Sequence, residues 1–249
     1  MTRSRLGYDE HCLYVAISEN QTSNIHWYTL GRKPNNKLWL VPIPSLPPMP
    51  LHGSYVVAGS NTRSPELKSS SKRIMVFDTV AKTWEVRKRL DWEVGQRWLS
   101  SVEMAGKIYM RSYRTSYVYE AKEGICETDQ ILHSKEWSNS CVIDDVLYYY
   151  DDRKNCLRAY DPKERVWGVV KGVGLGLCQD GSWSCTTSYG NKLAVFLHKV
   201  EALSETTEIW CAEIALERRE GGEMLGKVES FDLVLVGKSC IMKCLAVRI

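Results

Sequence analysis

The stretch VLYYYDDRKNCLRAYDPKERVW, Val146 to Trp167, alternates three apolar or aromatic runs with two charged clusters. Its first run is too short and too aromatic for a helix, and Asp151 to Asn155 is a polar cluster of the kind that closes a hairpin. Asp161-Pro162 sets a second turn, because proline fixes its own backbone angle and removes a hydrogen-bond donor. The stretch therefore predicts an antiparallel meander with strands at Val146 to Tyr150, Cys156 to Tyr160 and Arg165 to Val170.

The same pattern of short strand-like runs recurs along the chain. RIMVFD precedes KTWEV, GKIYM precedes SYVYE, and NKLAVF precedes TEIWCAEI. An acidic residue follows the aromatic at Asp78, Glu120 and Asp161, at intervals of 42 and 41 residues, and Trp84 and Trp167 lie 83 residues apart. A period in the forties built from short strands is typical of a propeller blade, whereas a helical solenoid would show a 3.6-residue apolar period. The sequence therefore predicts an all-β propeller of five to six blades, with the two tryptophans wedged between adjacent blades.

Length and composition fit one domain of this class. The chain has 249 residues, of which 44% are hydrophobic and 10% aromatic, and its net charge is +3. No apolar run is long enough to span a bilayer, and the start, MTRSRLGYDEHCLYVAI, has acidic residues where a signal peptide needs an apolar stretch. Nine cysteines without paired C-x-x-C spacing are typical of buried thiols in a reducing compartment. We therefore expect an intracellular monomer, in the cytoplasm or nucleus, that binds no membrane.

Several motifs carry a family resemblance. The strand ends Phe77-Asp78 and Tyr160-Asp161 and the closing tryptophans look like kelch repeats. More specific are CLYVAI (12–17), WYTLGRKP (27–34), LVPIPSLPPMP (40–50), SCVIDDVLYYYD (140–151) and EIWCAEIALERR (208–219). Together these stretches resemble the plant F-box/kelch-repeat proteins across nearly the whole chain. The resemblance implies a kelch-type β-propeller that selects substrates, joined to an amino-terminal F-box that docks on the adaptor of a cullin ubiquitin ligase.

The chain departs from the family pattern at three places. TRSRLGYDEHCLYV is similar to the stretch that follows the F-box, so we expect the F-box to be absent and the cullin-ligase adaptor not to bind. The paired glycines usual after the second strand of a kelch blade are replaced by Arg111-Ser112 and Asp151-Asp152, which adopt positive backbone angles less readily. The polar run Asn61 to Lys72 stands where another strand is expected and predicts a long exposed loop. Irregular blades and an incomplete ring are therefore alternatives to a regular propeller.

The repeats divide the whole chain, residues 1–249, into one propeller domain. Candidate repeats lie near 12–34, 53–90, 104–127, 140–171 and 187–216, and residues 228–249 are predicted to supply closing strands. Each blade can bury its two faces only against its neighbours. The repeats are therefore expected to fold together as a single unit.

No spacing in the sequence specifies a catalytic, cofactor or metal site. Gly172, Gly174 and Gly176 have the wrong spacing for a dinucleotide-binding loop, and we interpret them as a connection between blades. The five histidines show neither H-x-H nor H-E-x-x-H spacing. Cys240 and Cys244 would stand about 13 Å apart on a strand, too far to share one metal ion. Because none of these spacings fits a known site, we expect neither enzymatic activity nor a cofactor. No Arg/Lys cluster interleaves with the aromatics, so we do not expect nucleic-acid binding.

Charge is distributed unevenly between the two sides of the predicted meanders. Loops at 63–73, 111–114 and 151–154 open on one side and sum to +5, whereas the opposite turns at 78–82, 120–124 and 161–165 sum to −1. Solvated loop charges with no partner are one interpretation. The other is a binding face for a protein partner with an acidic patch, because charges at an interface rim steer encounter. The residues predicted to contact that partner are Arg111, Tyr113, Arg114, Arg153 and Lys154.

Three hypotheses about function follow. The first, which we favour, is a non-enzymatic protein-interaction propeller that resembles the substrate-recognition part of an F-box/kelch ubiquitin-ligase receptor but lacks the F-box. The second is a degenerate, truncated family member without a ligase role, suggested by the absent F-box and the polar run at 61–72. The third is a propeller enzyme whose titratable groups converge on the axis from several blades.

Overall fold

The structure, a computed structural model, is built almost entirely from β-strands. It describes residues 11–19, 24–44, 49–50, 73–78, 83–89, 98–120, 123–176, 183–201, 206–219 and 221–248. These ranges contain nineteen strands, one four-residue α-helix, α1 (Gln130–His133), and one short 3-10 helix (Asp152–Lys154). No helix in them is long and apolar enough to cross a membrane. The predicted all-β class is therefore confirmed, while the loop predicted at Asn61 to Lys72 lies outside the described residues.

The strands form five sheets, which we call the first to fifth blades. The first blade contains β1 (His11–Glu19), β2 (Asn24–Arg32), β3 (Leu38–Pro42), β4 (Met49–Pro50) and β19 (Ser239–Arg248). The second contains β5 (Arg73–Asp78) and β6 (Thr83–Arg89), and the third β7 (Trp98–Met104), β8 (Lys107–Ser112), β9 (Ser116–Glu120) and β10 (Ile125–Thr128). The fourth contains β11 (Cys141–Ile143), β12 (Val146–Asp151), β13 (Cys156–Asp161) and β14 (Val166–Val170). The fifth contains β15 (Trp183–Tyr189), β16 (Lys192–Glu201), β17 (Thr206–Arg218) and β18 (Met224–Gly237).

The blades are arranged as a β-propeller. The third, fourth and fifth blades are antiparallel meanders in which each strand pairs with the next. The first strand of each lies innermost, because β11 contacts both β7 and β15, and β15 also contacts β19. The predicted propeller is therefore confirmed, with five sheets in the described ranges. Within these ranges the second blade holds two strands, whereas each of the other blades holds at least four.

The first blade joins the amino-terminal and carboxyl-terminal strands. β19 pairs with β1, with Tyr14 opposite Leu245, and β1 continues the sheet by pairing with β2. The register shifts between Ala16 and Ile17, which leaves Met242 as the extra residue of a β-bulge. β19 follows β18 of the fifth blade in the chain and also contacts β15, so its backbone pairing with β1 connects the fifth blade to the first.

The quoted stretch forms β12, β13 and β14, as its pattern predicted. Asn155 ends the first turn with φ 50°, a left-handed conformation that asparagine tolerates better than most residues. Asp161 closes the second turn, because its Oδ1 accepts a hydrogen bond from the backbone N–H of Lys163 at 2.9 Å. Asp151, which replaces a kelch glycine, keeps φ −83° and simply ends the strand. Polar side chains therefore make these turns without the usual glycine pair.

Tyrosines of β12 alternate between the two cores on either side of the fourth blade. Tyr148 and Tyr150 pack with aliphatic residues of the fifth blade such as Leu193. Tyr149 packs on the other side, in a cluster that includes Tyr109 of the third blade. Successive side chains of a strand point to opposite faces, so this alternation follows from the strand conformation of β12.

Trp167 belongs to the core between the third and fourth blades. Its ring centroid lies 5.4 Å from that of Tyr149 and 5.0 Å from that of Tyr160. Its Nε1–H donates a hydrogen bond to the carbonyl oxygen of Ile131 at 2.9 Å, so its polar edge is satisfied at the border of the core. The predicted wedge is confirmed for Trp167, whereas the side chain of Trp84 lies outside the described residues.

Candidate functional site

A pocket of about 360 Å³ opens beside the turn between β12 and β13. Its other walls are the connection between β10 and β11 and the start of β15, so segments of three successive repeats surround it. We call it the turn pocket. It is lined by Ser134, Lys135, Glu136, Ser138, Asn139, Tyr149, Tyr150, Asp151, Asp152, Arg153, Lys154, Trp183 and Ser184.

The turn between β12 and β13 presents two cations at the pocket. Asp151 starts this turn, where its Oδ1 accepts a hydrogen bond from the Lys154 backbone N–H at 3.2 Å and its Oδ2 one from Arg158 Nε at 2.7 Å. Asp152 Oδ1 accepts a hydrogen bond from the Arg153 backbone N–H at 2.8 Å. Both carboxylates are thus engaged within the turn itself. The side chains of Arg153 and Lys154 remain exposed, and that of Arg153 is 78% accessible.

The connection between β10 and β11 forms the opposite wall and is fixed at both ends. Asp129 caps α1, and its Oδ2 accepts a hydrogen bond from the Tyr160 hydroxyl at 2.8 Å. Trp137 is fully buried and donates its Nε1–H to Ser116 Oγ at 3.2 Å. These two buried anchors hold residues 134–139 against the pocket.

Arg111 lies behind this wall and is buried, although the sequence predicted a contact residue on an exposed loop. It is only 6% accessible, and its Nη1 donates a hydrogen bond to the carbonyl oxygen of Lys135 at 2.6 Å. Its buried Nε has no hydrogen-bond partner among the described residues. Burial lowers the pKa of the guanidinium, which still stays protonated at neutral pH. The loop reading was therefore wrong for this side chain, because β8 continues through Arg111 and turns it inward.

Tyr113 and Arg114 occupy the neighbouring turn, between β8 and β9. Ser112 shapes that turn, because its Oγ accepts a hydrogen bond from the Arg114 backbone N–H at 3.3 Å. Tyr113 is 68% accessible, and neither residue lines the turn pocket. Of the five predicted residues, Arg153 and Lys154 line one pocket and Arg111 bonds its wall from behind. Tyr113 and Arg114 lie in a different turn.

The lining residues that the sequence did not predict include Lys135, Glu136 and Trp183. The ring of Trp183 lies 4.9 Å from that of His198, whose Nε2 accepts a hydrogen bond from the Ile241 backbone N–H at 3.1 Å. Burial lowers the pKa of His198 to about 4, so the imidazole is neutral and able to accept that bond. For Lys135 and Glu136, the available signal in the sequence was a pair of opposite charges between two predicted repeats.

The turn pocket is lined by equal numbers of cationic and acidic side chains, three of each. Two further cations lie next to it, because Arg111 bonds one wall and Arg158 bonds Asp151. Arg153 Nη2 lies 3.9 Å from Glu136 Oε2, and both side chains are more than 70% accessible, so this pair is loose. Lys135 Nζ is 3.5 Å from a backbone oxygen, and no carboxylate of the described ranges pairs with it or with Lys154. Burial raises the pKa of the Tyr149 phenol, which therefore adds no negative charge at neutral pH.

Ser116 and His133 approach each other near the pocket wall, but the contact is structural. Ser116 Oγ lies 3.4 Å from His133 Nδ1, and burial, with a smaller contribution from Arg111, lowers the pKa of this histidine. Ser116 is fully buried and already accepts the Trp137 indole hydrogen bond. No substrate reaches such a hydroxyl, so it is not a candidate nucleophile. Within the ranges the structure describes, no group of three or more His, Cys, Asp or Glu residues is placed to hold a metal ion.

A second cavity, of about 350 Å³, lies at the opposite end of β12, between β14 and the hairpin of β17 and β18. We call it the hairpin cavity. It is lined mainly by apolar residues and glycines, such as Val166. Both of its cations are paired, because Arg218 Nη2 lies 3.2 Å from Asp161 Oδ2 and Lys171 forms an ion pair with Glu223, while Glu164 also lines the cavity. The hairpin cavity therefore offers a partner no cation that lacks an ion pair.

Comparisons with known proteins agree with the fold. Residues 61–235 match the family model described as FKB95, Kelch-repeats domain. F-box/kelch-repeat protein At4g38940 of Arabidopsis thaliana is 47% identical in an alignment that covers 98% of this chain and 82% of the relative. F-box/kelch-repeat protein At4g39240 of the same plant is 31% identical, with 99% of this chain and 80% of the relative covered.

The two alignments run over 310 and 306 positions, more than the 249 residues of this chain, so both relatives carry additional residues inside the matched span. The family model covers well over half of the chain and includes the third and fourth blades and most of the fifth. The aromatic-acidic strand ends and the closing tryptophan that suggested kelch repeats lie within it. This chain belongs to the F-box/kelch-repeat protein family of plants, and its propeller is of the kelch type.

Proposed function

We propose that this chain is a non-enzymatic protein-interaction propeller whose partner docks over the turn pocket and the turns beside it. The observation that carries the proposal is the turn pocket itself, a concave site with exposed cations assembled from three successive repeats. Turns supported by a rigid β-scaffold are common places for binding residues. A kelch propeller supplies such a scaffold, which supports the protein-interaction role that the family suggests.

The composition around the turn pocket also supports a protein partner. Tyr113 and Arg153 are two of the most exposed large side chains described, and tyrosine and arginine are enriched at protein interfaces. The partner surface is acidic, since Lys135, Arg153 and Lys154 outnumber the carboxylates that pair with them. Charges at a rim act mainly on the association rate and its salt dependence.

We further propose that the chain acts inside the cell as the substrate-recognition part of a ligase receptor. The names of the relatives, which combine F-box and kelch repeat, support this role. That this chain does not itself bind the cullin-ligase adaptor stays a prediction. Co-precipitation of the chain with the adaptor, beside the relative At4g38940 as positive control, tests it. Recovery of the adaptor at the level of the control would overturn the prediction.

Charge reversal tests the docking face. Proteins captured from plant extract on the purified chain are compared with those captured on the double variant Arg153→Glu/Lys154→Glu. The matched control is Lys163→Glu, an equally exposed lysine in the turn between β13 and β14, away from the turn pocket. We expect partner recovery to fall about tenfold with the double variant, which corresponds to about 1.4 kcal/mol, and to be unchanged with the control. Equal recovery on all three proteins would place the interface elsewhere.

A further inference from the structure

The charges of the turn pocket define what it can bind. Asp151 is engaged by Arg158 and by the turn backbone, and Asp152 bonds the backbone of the next residue. Glu136 forms only a loose pair with Arg153, at 3.9 Å. Lys135 and Lys154 line the pocket from two different segments, 134–139 and 151–154, and no carboxylate within the described ranges forms an ion pair with either. A negatively charged group placed between the walls would therefore meet two cations at once.

The size and lining of the turn pocket restrict its ligand further. A volume of about 360 Å³ is at the small end for ligand pockets, which run from about 300 to 1,000 Å³. Hydrogen-bonding groups of Ser138, Asn139 and Ser184 line it beside the indole of Trp183. This combination suits one polar side chain with an apolar neighbour better than it suits a nucleotide or a cofactor.

We propose that the turn pocket anchors a single acidic side chain, glutamate or aspartate, from an extended segment of the partner protein. The carboxylate binds between Lys135 and Lys154, and the apolar residue that follows packs on Trp183. This inference rests on the proposed function and narrows it, because it assigns the specificity of the docking face to one pocket and one chemical group.

Arg111 is a positioning residue in this arrangement. Its Nη1 holds the carbonyl oxygen of Lys135, which fixes the backbone of one wall, and its buried charge adds to the positive potential behind the pocket. It does not reach the ligand, since it is buried and absent from the lining. Replacing Arg111 should therefore weaken ligand binding indirectly, through the position of Lys135. It should not affect Arg153 and Lys154 on the other wall.

Direct binding of synthetic peptides tests the anchor. The probes are fluorescein-labelled nine-residue peptides of glycine and serine that carry, at the centre, glutamate, glutamine or phosphoserine followed by leucine. Binding to the full chain is followed by fluorescence anisotropy. We expect the glutamate peptide to bind at least tenfold more tightly than the glutamine peptide. Equal affinity for these two, or a preference for phosphoserine over glutamate, would overturn the assignment of a carboxylate.

Variants locate the binding within the molecule. Lys135→Gln/Lys154→Gln should abolish the preference for glutamate over glutamine, whereas the exposed control Lys163→Gln should keep it. Arg111→Lys, which retains the buried charge, should weaken glutamate binding less than Arg111→Met does. Retention of the full preference by the double glutamine variant would refute the pocket as the anchor. Circular dichroism and the melting temperature show that each variant is folded.

Filling the pocket separates failure of this inference from failure of the proposed function. Ser138→Tyr places a ring among the lining residues without removing a hydrogen bond that the structure records for that side chain. We expect it to abolish both glutamate-peptide binding and partner capture. If partner capture persists with Ser138→Tyr but is lost with Arg153→Glu/Lys154→Glu, the docking face stands and the anchor is refuted. If neither variant affects capture, both proposals fail.

Discussion

The turn pocket and the hairpin cavity lie at opposite ends of β12 and have nearly equal volumes, about 360 and about 350 Å³. They differ in how their charges are used. In the hairpin cavity, Lys171 pairs with Glu223 and Arg218 pairs with Asp161. In the turn pocket, Asp151 bonds Arg158 and its own turn, so this carboxylate stabilises the wall and forms no ion pair with half-buried Lys135 or exposed Lys154.

The comparison shows that volume does not identify a binding site in this propeller. Ion pairs already engage both cations of the hairpin cavity, so an acidic partner would have to break them. At the turn pocket the buried and half-buried ionic contacts are structural, and the exposed cations are available to a partner. This contrast leads to different expectations for stability and pH dependence at the two sites.

The largest effect is expected for His198, which lies behind the Trp183 wall of the turn pocket. Its pKa of about 4 in the folded state is below the unfolded value of about 6.5, so unfolded chains bind the proton more readily. The stabilisation from neutral His198 is complete above about pH 6.5 and is lost as the pH falls towards 4. We expect this residue to account for a loss of about 3 kcal/mol over that range, measured by urea unfolding.

His198→Gln provides the control for this pH dependence, since glutamine keeps an acceptor but does not titrate in this range. The variant should lose less stability than the natural chain between pH 6.5 and 4. An identical slope for both proteins would assign the effect to another group, of which His133 is a candidate because its pKa is also lowered by burial. That result would mean that protonation of His198, behind Trp183, does not lower the stability of the protein.

The next largest effect is expected for Arg158→Met, which removes the partner of Asp151 in the turn pocket. The two side chains are 17% and 15% accessible, so the remaining carboxylate would be poorly solvated. We expect a loss of about 2 kcal/mol in the free energy of unfolding, less than for a fully buried pair because the Lys154 backbone N–H still bonds the carboxylate. Arg158→Lys should recover part of it. A loss below about 0.5 kcal/mol would mean that this pair resembles those of the hairpin cavity.

A smaller effect is expected for Asn155, which ends the turn of the pocket. Its Oδ1 accepts hydrogen bonds from the backbone N–H groups of Leu175 and Gly176, both at 3.0 Å. Asn155→Gly removes these bonds but tolerates φ 50°, so we expect a loss of about 1 kcal/mol. Asn155→Ala should cost about 1 kcal/mol more, because alanine is strained in the left-handed region. Equal stability of the two variants would show that backbone strain has no part in the effect.

The smallest effect is expected at the hairpin cavity. Lys171 and Glu223 form an ion pair whose side chains are 68% and 40% accessible. We expect Lys171→Met to change the free energy of unfolding by no more than about 0.5 kcal/mol and partner capture not at all. A double-mutant cycle with Glu223→Gln measures the coupling directly. A coupling above about 1.5 kcal/mol would contradict the view that this cavity carries only weak surface pairs.

Much of the fold was predicted from the sequence, because strand periodicity and turn chemistry are local. The runs around Tyr148 and Tyr160 gave strands within one residue of those observed. The inner strands β7 and β15 were harder to recognise. Their sequences, WLSSVEM and WSCTTSY, are rich in small polar residues, and the apolar alternation that marks a strand is weak there.

The candidate site was predicted only in part. Arg153 and Lys154 follow Asp151 in a turn that the sequence already defines, so their exposure could be expected. The prediction that Arg111 is exposed was wrong, because no nearby residue in the sequence shows that its side chain at the end of β8 is buried. Lys135 was missed because the connection between two blades has no repeat pattern of its own.

By itself, the sequence determined the strands, the turns and the family of this protein, since each depends on residues close together in the chain or on their repetition every 41 to 42 residues. The packing of the blades determines which charged side chains pair within the protein and which can contact a partner. The turn pocket joins residues 134–139, 151–154 and 183–184, and these segments meet because adjacent blades must bury their faces against one another. The same packing buries Arg111 and leaves Lys135 and Lys154 on facing walls, an arrangement that no local pattern encodes.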